Sequence, residues 1–229
     1  AISLFERTIT LKRKHLGDDD PSTLISMNAL VKVYTSGANR AETISLLEET
    51  LNSRRKTYGE DHPATLTSMI ILALAHYNSD TPEKAIPFYE EVLQRREETL
   101  GAKDPDTLQS MHDLAGAYQK AGDLEKAIPL LEETVNKRKR VLGEDHRRTL
   151  GSMARLGFAH YNSGSPQKAI PVFEEVLNRR REKLGEEDPD TLNSMNNLAA
   201  TYEKAGDLEK AIPLYEQTLN GRGNVLGED

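Results

Sequence analysis

Two histidines, His76 and His160, each followed by Tyr-Asn, and two "GEDH" tetrads beginning at Gly59 and Gly143 are the residues here whose types could bind a metal or move a proton. Zinc requires three or four convergent ligands, and each tetrad offers one Asp and one His. His76 and His160 are two repeats apart, roughly 20 Å or more if helices pack about 9 Å from axis to axis. They are therefore read as packing residues, the tetrads as loop and helix-capping residues, and no metal or cofactor is expected. Paired acids such as Glu132 and Glu133 are adjacent on a helix and point in different directions, which leaves a general acid and base pair unsupported. Glycines are spread at one or two per repeat, without a phosphate-cradling loop. There is no Cys for thiol catalysis. The expectation is a protein that is not an enzyme.

Basic runs recur as well: Lys12 to Lys14, Arg54 to Lys56, Arg95 with Arg96, Lys137 to Arg140 and Arg179 to Arg181. A row of cations could take up nucleic acid, but the net charge of -7 argues against it. Cations also suit a helix C-terminus. Glu91 with Arg95, Glu133 with Lys137 and Glu175 with Arg179 have the i, i+4 spacing of ion pairs. The runs are read as a solvated, self-compensated edge. The longest apolar run, Met69 to Ala75, is far shorter than the roughly 18 residues of a membrane span, so neither nucleic acid nor membrane is an expected partner. The opening "AISLFERTITLKRK" lacks the order of a signal peptide; localisation stays unread, with the cytoplasm as the working expectation.

What must position these residues is a repeat. Gly17, Gly59, Gly101, Gly143, Gly185 and Gly227 follow one another at 42-residue intervals, each preceded by Leu or Tyr. Every interval carries Thr-Leu and then Ser-Met, at Met27, Met69, Met111, Met153 and Met195. The 229 residues form one array: a half unit at 1–16 and full units at about 17–58, 59–100, 101–142, 143–184 and 185–226. A slower period of 84 overlies it, since "AHYNS" recurs at Ala75 and Ala159 and "KAGDLEKAIPL" at Lys120 and Lys204. Duplication of a two-unit block accounts for both.

Each unit reads as two helices. In the third, Asp104 caps a helix starting at Pro105, where a missing N–H costs nothing. Leu108, Met111, Ala115 and Tyr118 form its inner stripe, and Gly122 ends it. The second helix starts near Asp123, with Ala127, Ile128, Leu131, Val135, Arg138 and Leu142 inward and Gly143 as a left-handed terminator. Pro87, Pro129, Pro171 and Pro213 sit awkwardly after "KAI", where either a kink or a later helix start is expected.

The pattern Leu198-Ala199, Tyr202, Gly206, Ala211 and Tyr215, together with "EExLxxR" and "LGEDHP", resembles the tetratricopeptide repeat in its 42-residue kinesin light chain-like form. The resemblance implies an all-α solenoid of antiparallel helix pairs wound into a right-handed superhelix, with the first helices lining a concave groove. It implies a non-enzymatic module that binds an extended peptide or partner segment there. The groove positions are then Asn28 and Lys32; Ile70, Leu74, Tyr77 and Asn78; His112, Gln119 and Lys120; Phe158, Tyr161 and Asn162; and Asn196 and Lys204. Asn side chains carry both donor and acceptor for a ligand backbone, the apolar residues would form pockets, and the lysines would meet acidic ligand residues. The bland alternative has Ile70, Leu74 and Phe158 turned inward to pack adjacent repeats. Two other readings stay open. One is a self-assembling array stacked through ends bearing Ile2, Leu4 and Phe5, or Leu214, Tyr215 and Leu219; the other is the regulatory or sensing arm of a larger signalling protein.

Overall fold

The computed structural model describes residues 40–79 and 81–226, with Thr8, Leu11, Lys12, His15 and Ser26 as separate positions before them. The candidates Asn28 and Lys32, and the end residues Ile2, Leu4 and Phe5, lie outside the described residues. The described chain is all α, in two compact units, 1–122 and 123–229.

In the first unit α1 (Arg40–Tyr58) packs on α2 (Pro63–Tyr77), then a short 3-10 turn (Pro82–Ala85) leads into α3 (Ile86–Leu100), which packs on α4 (Pro105–Lys120). The second unit runs α5 (Leu124–Leu142), α6 (Arg147–Asn162), α7 (Pro166–Leu184), α8 (Pro189–Ala205) and α9 (Leu208–Leu226), each on the next. α2, α4, α6 and α8 are the first helices of their repeats.

Each first helix starts on a capping side chain, as the repeat pattern requires. Asp104 and Asp188 accept from the amides of Asp106 and Asp190, both at 2.8 Å. In the alternate repeats His62 and His146 do the same work through Nδ1, accepting from Ala64 at 3.2 Å and Arg148 at 3.1 Å. The tetrads thus serve helix capping. Leu108, Met111, Ala115 and Tyr118 are buried, as are Ala127, Leu131 and Val135.

Three expectations are refined. Helix α5 starts at Leu124 with Asp123 as its cap, and Pro129 lies inside it without interrupting it, as do Pro171 in α7 and Pro213 in α9. Each proline is exposed, so the carbonyl it leaves unbonded faces solvent. Only at Pro87 does the helix begin later, after the 3-10 turn. Gly143 has the expected positive φ of 95° but a ψ of 159°, which is extended rather than left-handed helical. The chain leaves α5 at once to reach the His146 cap three residues on, and a helical ψ would wind it back over the helix end. Gly206, closing a first helix, does adopt the left-handed form, at φ 85° and ψ 7°.

The third refinement concerns the basic runs. Arg54 and Arg138 are each 1% exposed, inside the molecule rather than on a solvated edge. Arg138 Nη1 donates to the Arg148 carbonyl at 2.7 Å and to Ser152 Oγ at 2.8 Å. Arg54 reaches Ala64 O and Ser68 Oγ, Arg96 reaches Asp106 O and Ser110 Oγ, and Arg180 reaches Asp190 O and Ser194 Oγ. The offsets are ten and fourteen residues every time. Lys12 keeps the last of these bonds, to Ser26 Oγ at 2.9 Å. The guanidinium therefore ties the end of each second helix to the first turn of the following first helix, with polar groups already positioned to receive it.

The other members of the runs do form the expected pairs: Arg95 with Glu91, Lys137 with Glu133 and Arg179 with Glu175. Ser152→Ala should cost about 2 kcal/mol in urea unfolding, because it removes an acceptor from a buried charge, whereas Ser53→Ala, on an exposed position of α1, should leave the midpoint unchanged.

Candidate functional site

Tyr77, Asn78, Gln119, Lys120, Tyr161, Asn162 and Lys204 stand at the C-terminal ends of their first helices, whereas Ile70, His112 and Asn196 lie near the middle of theirs. Helix α2 closes at Tyr77 with Asn78 as its C-cap, and the Asn78 side chain turns back to donate to Leu74 O at 3.0 Å. That occupies one of the two amide N–H groups and leaves the other N–H and the carbonyl oxygen. Lys120, at the end of α4, donates its ammonium to the Tyr77 carbonyl and lies over the Tyr77 ring, 4.4 Å from the centroid. The second unit repeats the arrangement 84 residues on. Lys204 donates to Tyr161 O at 2.7 Å and stands 3.9 Å from the centre of that ring, while Asn162 next to it is exposed. Lys120 and Lys204 are thus engaged with the preceding repeat rather than extended free, because a carbonyl at a helix C-terminus and an aromatic face both attract a cation.

The apolar candidates divide. Ile70 is half-buried against the core formed by Leu47, Leu51, Met69, Leu72 and Val92, so at this position the packing role is realised. Leu74 and Phe158 are 39% and 38% exposed, and Phe158 meets Phe173 edge to face with ring centres 5.2 Å apart. Phe173 in turn lies across Gly157, where a Cβ would stand 2.7 Å from the ring. Tyr161 is half-buried against the second-unit core. His112, Gln119 and Asn196 are half-buried on α4 and α8.

His76 and His160 are 7% and 8% exposed, inside the packing of α2 and α6. His76 stacks parallel to Phe88 with centroids 5.9 Å apart. In the alternate repeats Tyr118 and Tyr202 occupy these places and donate to Glu90 and Glu174. Burial, and then Glu174 as acceptor, pushes the Tyr202 hydroxyl up to about 12.

Two surface networks keep the same 84-residue rhythm. Arg55, Glu60, Asp61, Glu91 and Arg95 are linked in the first unit, and Lys139, Glu144, Asp145, Glu175 and Arg179 in the second. Burial works to raise the Glu175 carboxyl, yet Lys139 and Arg179 hold it below the usual carboxylate value. These networks, the arginine ties and the lysine–tyrosine contacts escape a reading of one repeat at a time. Their signal in the sequence is the constancy of the offsets between repeats. Among the described residues there is no cluster of three metal-ligating side chains and no helix long and apolar enough to cross a membrane.

Antiparallel helix pairs joined at fixed register, with varied side chains gathered at the ends of the first helices, define a helical-repeat interaction protein. Tetratricopeptide repeat models match residues 23–64, 71–140, 114–169 and 148–223, and the chain belongs to that family, in its kinesin light chain-like form. It is similar to the crystal structure of nearly identical TPR-like repeats from a Podosopora anserina chain described as a kinesin light chain, at 30% identity and TM-score 0.78. That match covers 92% of this chain and all of the other. BtubC (BKLC) from P. vanneervenii aligns at 22% identity and TM-score 0.82 over 100% of this chain and 92% of its own, a likeness of fold. A MamA structure shares the fold more distantly, at 14% identity and TM-score 0.56, over 87% of this chain and 96% of its own. No curated relative matches the sequence.

A double-mutant cycle combining Lys204→Met with Tyr161→Leu should return a coupling of about 0.5–1 kcal/mol in unfolding free energy; additivity of the two losses would show that the ammonium does not bind the ring.

Proposed function

We propose that this protein-interaction module binds an extended peptide segment of a partner along the groove-facing ends of its first helices. The observation that carries the reading is the duplicated corner: Tyr77, Asn78 and Lys120 in one unit, Tyr161, Asn162 and Lys204 in the other, with the same lysine-to-tyrosine contact in both. Beside each corner stands a partly exposed apolar residue, Leu74 or Phe158. In this reading Asn78 contributes its free carbonyl oxygen, and Asn162 and Asn196 both donor and acceptor, to the ligand backbone. Leu74 and Phe158 anchor ligand side chains, and the lysines, held in place over the tyrosines, favour an acidic neighbour. The family is generally a non-catalytic scaffold, and no residue is assigned a catalytic role.

A second reading, self-association, draws support from α9, where Leu208, Ile212 and Leu219 are 55%, 52% and 72% exposed. The Leu219 position is occupied in earlier repeats by Leu177 and Val135, which are buried at 3% and 6%.

Screening the wild-type chain on a peptide array beside a Tyr77→Ala, Asn78→Ala, Tyr161→Ala, Asn162→Ala variant of equal helicity separates the two. Peptides retained by the wild type and lost by the variant, by tenfold or more, are the expected result. Equal binding by both, with a mass that rises with concentration and returns to monomer on Leu219→Glu, would move the function to α9.

A further inference from the structure

Helices α2 and α6 differ from α4 and α8 in having histidine at both ends. His62 and His146 are the N-caps, and His76 and His160 lie within the last turns; α4 and α8 carry Asp104, Asp188, Tyr118 and Tyr202 at the same places. The two kinds of helix alternate along the chain. Their capping bonds look alike, but the groups that accept them differ in chemistry. A neutral imidazole accepts through Nδ1, whereas an imidazolium has two donors and no acceptor. Protonation of His62 or His146 would therefore break the bond to the amide of Ala64 or Arg148 and set a positive charge on the positive end of a helix dipole. An ionised carboxylate cap, by contrast, is acceptor-only and sets a favourable charge at that end of the helix.

Compensation is limited on every side. Around His62, Tyr58 of α1 stacks at 4.7 Å, and the adjacent acids Glu60 and Asp61 are already held by Arg55 of α1 and Arg95 of α3. Around His146, Glu144 and Asp145 are bound by Arg179 and Lys183 of α7, and Arg147 follows in the chain. His76 faces Glu48 of α1 and Glu83 and Lys84 of the 3-10 turn, and its buried Nδ1 has no hydrogen-bond partner. His160 faces Glu132 of α5 and Lys168 of α7. For both, burial outweighs the nearby acids and holds the imidazole below its ordinary value of 6.5. Well above 6.5 these two groups are neutral whether the chain is folded or unfolded. As the pH drops below 6.5 the unfolded chain takes up protons that the folded one refuses, and stability falls until the lowered folded value is reached.

We propose that α2 and α6 are acid-released elements, loosened from their neighbours by proton uptake at the histidines on both their ends, while α4 and α8 stay in place. The corners Tyr77–Asn78 and Tyr161–Asn162 sit at the C-terminal ends of the released helices. Acid would then withdraw the peptide-binding surface, a consequence that rests on the peptide-binding reading; the loosening itself does not.

The chain supplies its own control residues. Between pH 7.5 and 5.5 the wild type should lose roughly 4 °C or more in Tm. A His62→Asp, His146→Asp, His76→Tyr, His160→Tyr variant should lose less than half as much. Should Tyr not fit at the buried pair, the cap-only variant His62→Asp, His146→Asp must still shrink the loss, and Asp104→His, Asp188→His must enlarge it. Amide exchange at pH 5.5, corrected for its intrinsic rate, should show protection at Ala64 and Arg148 down about fivefold from pH 7.5, and unchanged at Asp106 and Asp190. An equal Tm loss in wild type and both protected variants, or equal changes at all four amides, would overturn the proposal. An array peptide that binds equally at both pH values while the amides respond would confine the device to stability.

Discussion

The arginine that leaves the end of each second helix for the first turn of the following helix is the constraint on which the rest of the array depends. It joins consecutive helix pairs by hydrogen bonds at fixed offsets of ten and fourteen residues, in both units. Withdrawing an acceptor from a buried guanidinium is costly, and a residue gained or lost in the loop between Arg138 and Ser152 would withdraw one. That gives a physical reason for a 42-residue period free of insertions. It also explains why serine, a middling helix former, stands inside four successive first helices at Ser68, Ser110, Ser152 and Ser194. Threonine adds a second tie: Thr65 and Thr149, fully buried, donate to Gly59 O and Gly143 O, anchoring the turning glycine to the helix it introduces.

On this frame the 84-residue period acquires a chemical meaning. Two kinds of first helix alternate, one closed by Asp and Tyr, the other by His at both ends. The surface ion-pair networks follow the same alternation, because the acids at Asp61 and Asp145 face Arg95 and Arg179, whereas the intervening repeat has Lys103 at the corresponding place. Duplication of a two-repeat block thus preserved whole interaction sets, since an acid and its cation only retain their value together. The lysine–tyrosine corners belong to this set.

Much of the fold was legible. The cap at Asp104, the start of α5 near Asp123, the buried stripe of α4 and the i, i+4 pairs follow from local rules that operate within one or two helical turns. The site was legible only as a list of positions. Nothing local to Lys120 says that its ammonium will seek the carbonyl of Tyr77, 43 residues earlier, and nothing local to Asn78 separates a ligand-reading amide from one bonded back to its own helix. Ile70 and Leu74, four residues apart in one helix, part company for the same reason: the neighbouring helix covers one and not the other.

The sequence by itself determined the repeat, its period, the two helices in each unit and the family, because periodicity and capping are properties of short segments read in order. Tertiary structure decided which cations are buried and which are solvated, which prolines a helix absorbs, the extended conformation of Gly143, and the pairing of lysine with tyrosine. Those outcomes depend on what one helix finds on the surface of the next. A guanidinium becomes a structural tie where serine and carbonyl oxygens stand ready to receive it, in a dry place at Arg54 and Arg138 and nearer the surface at Arg96 and Arg180.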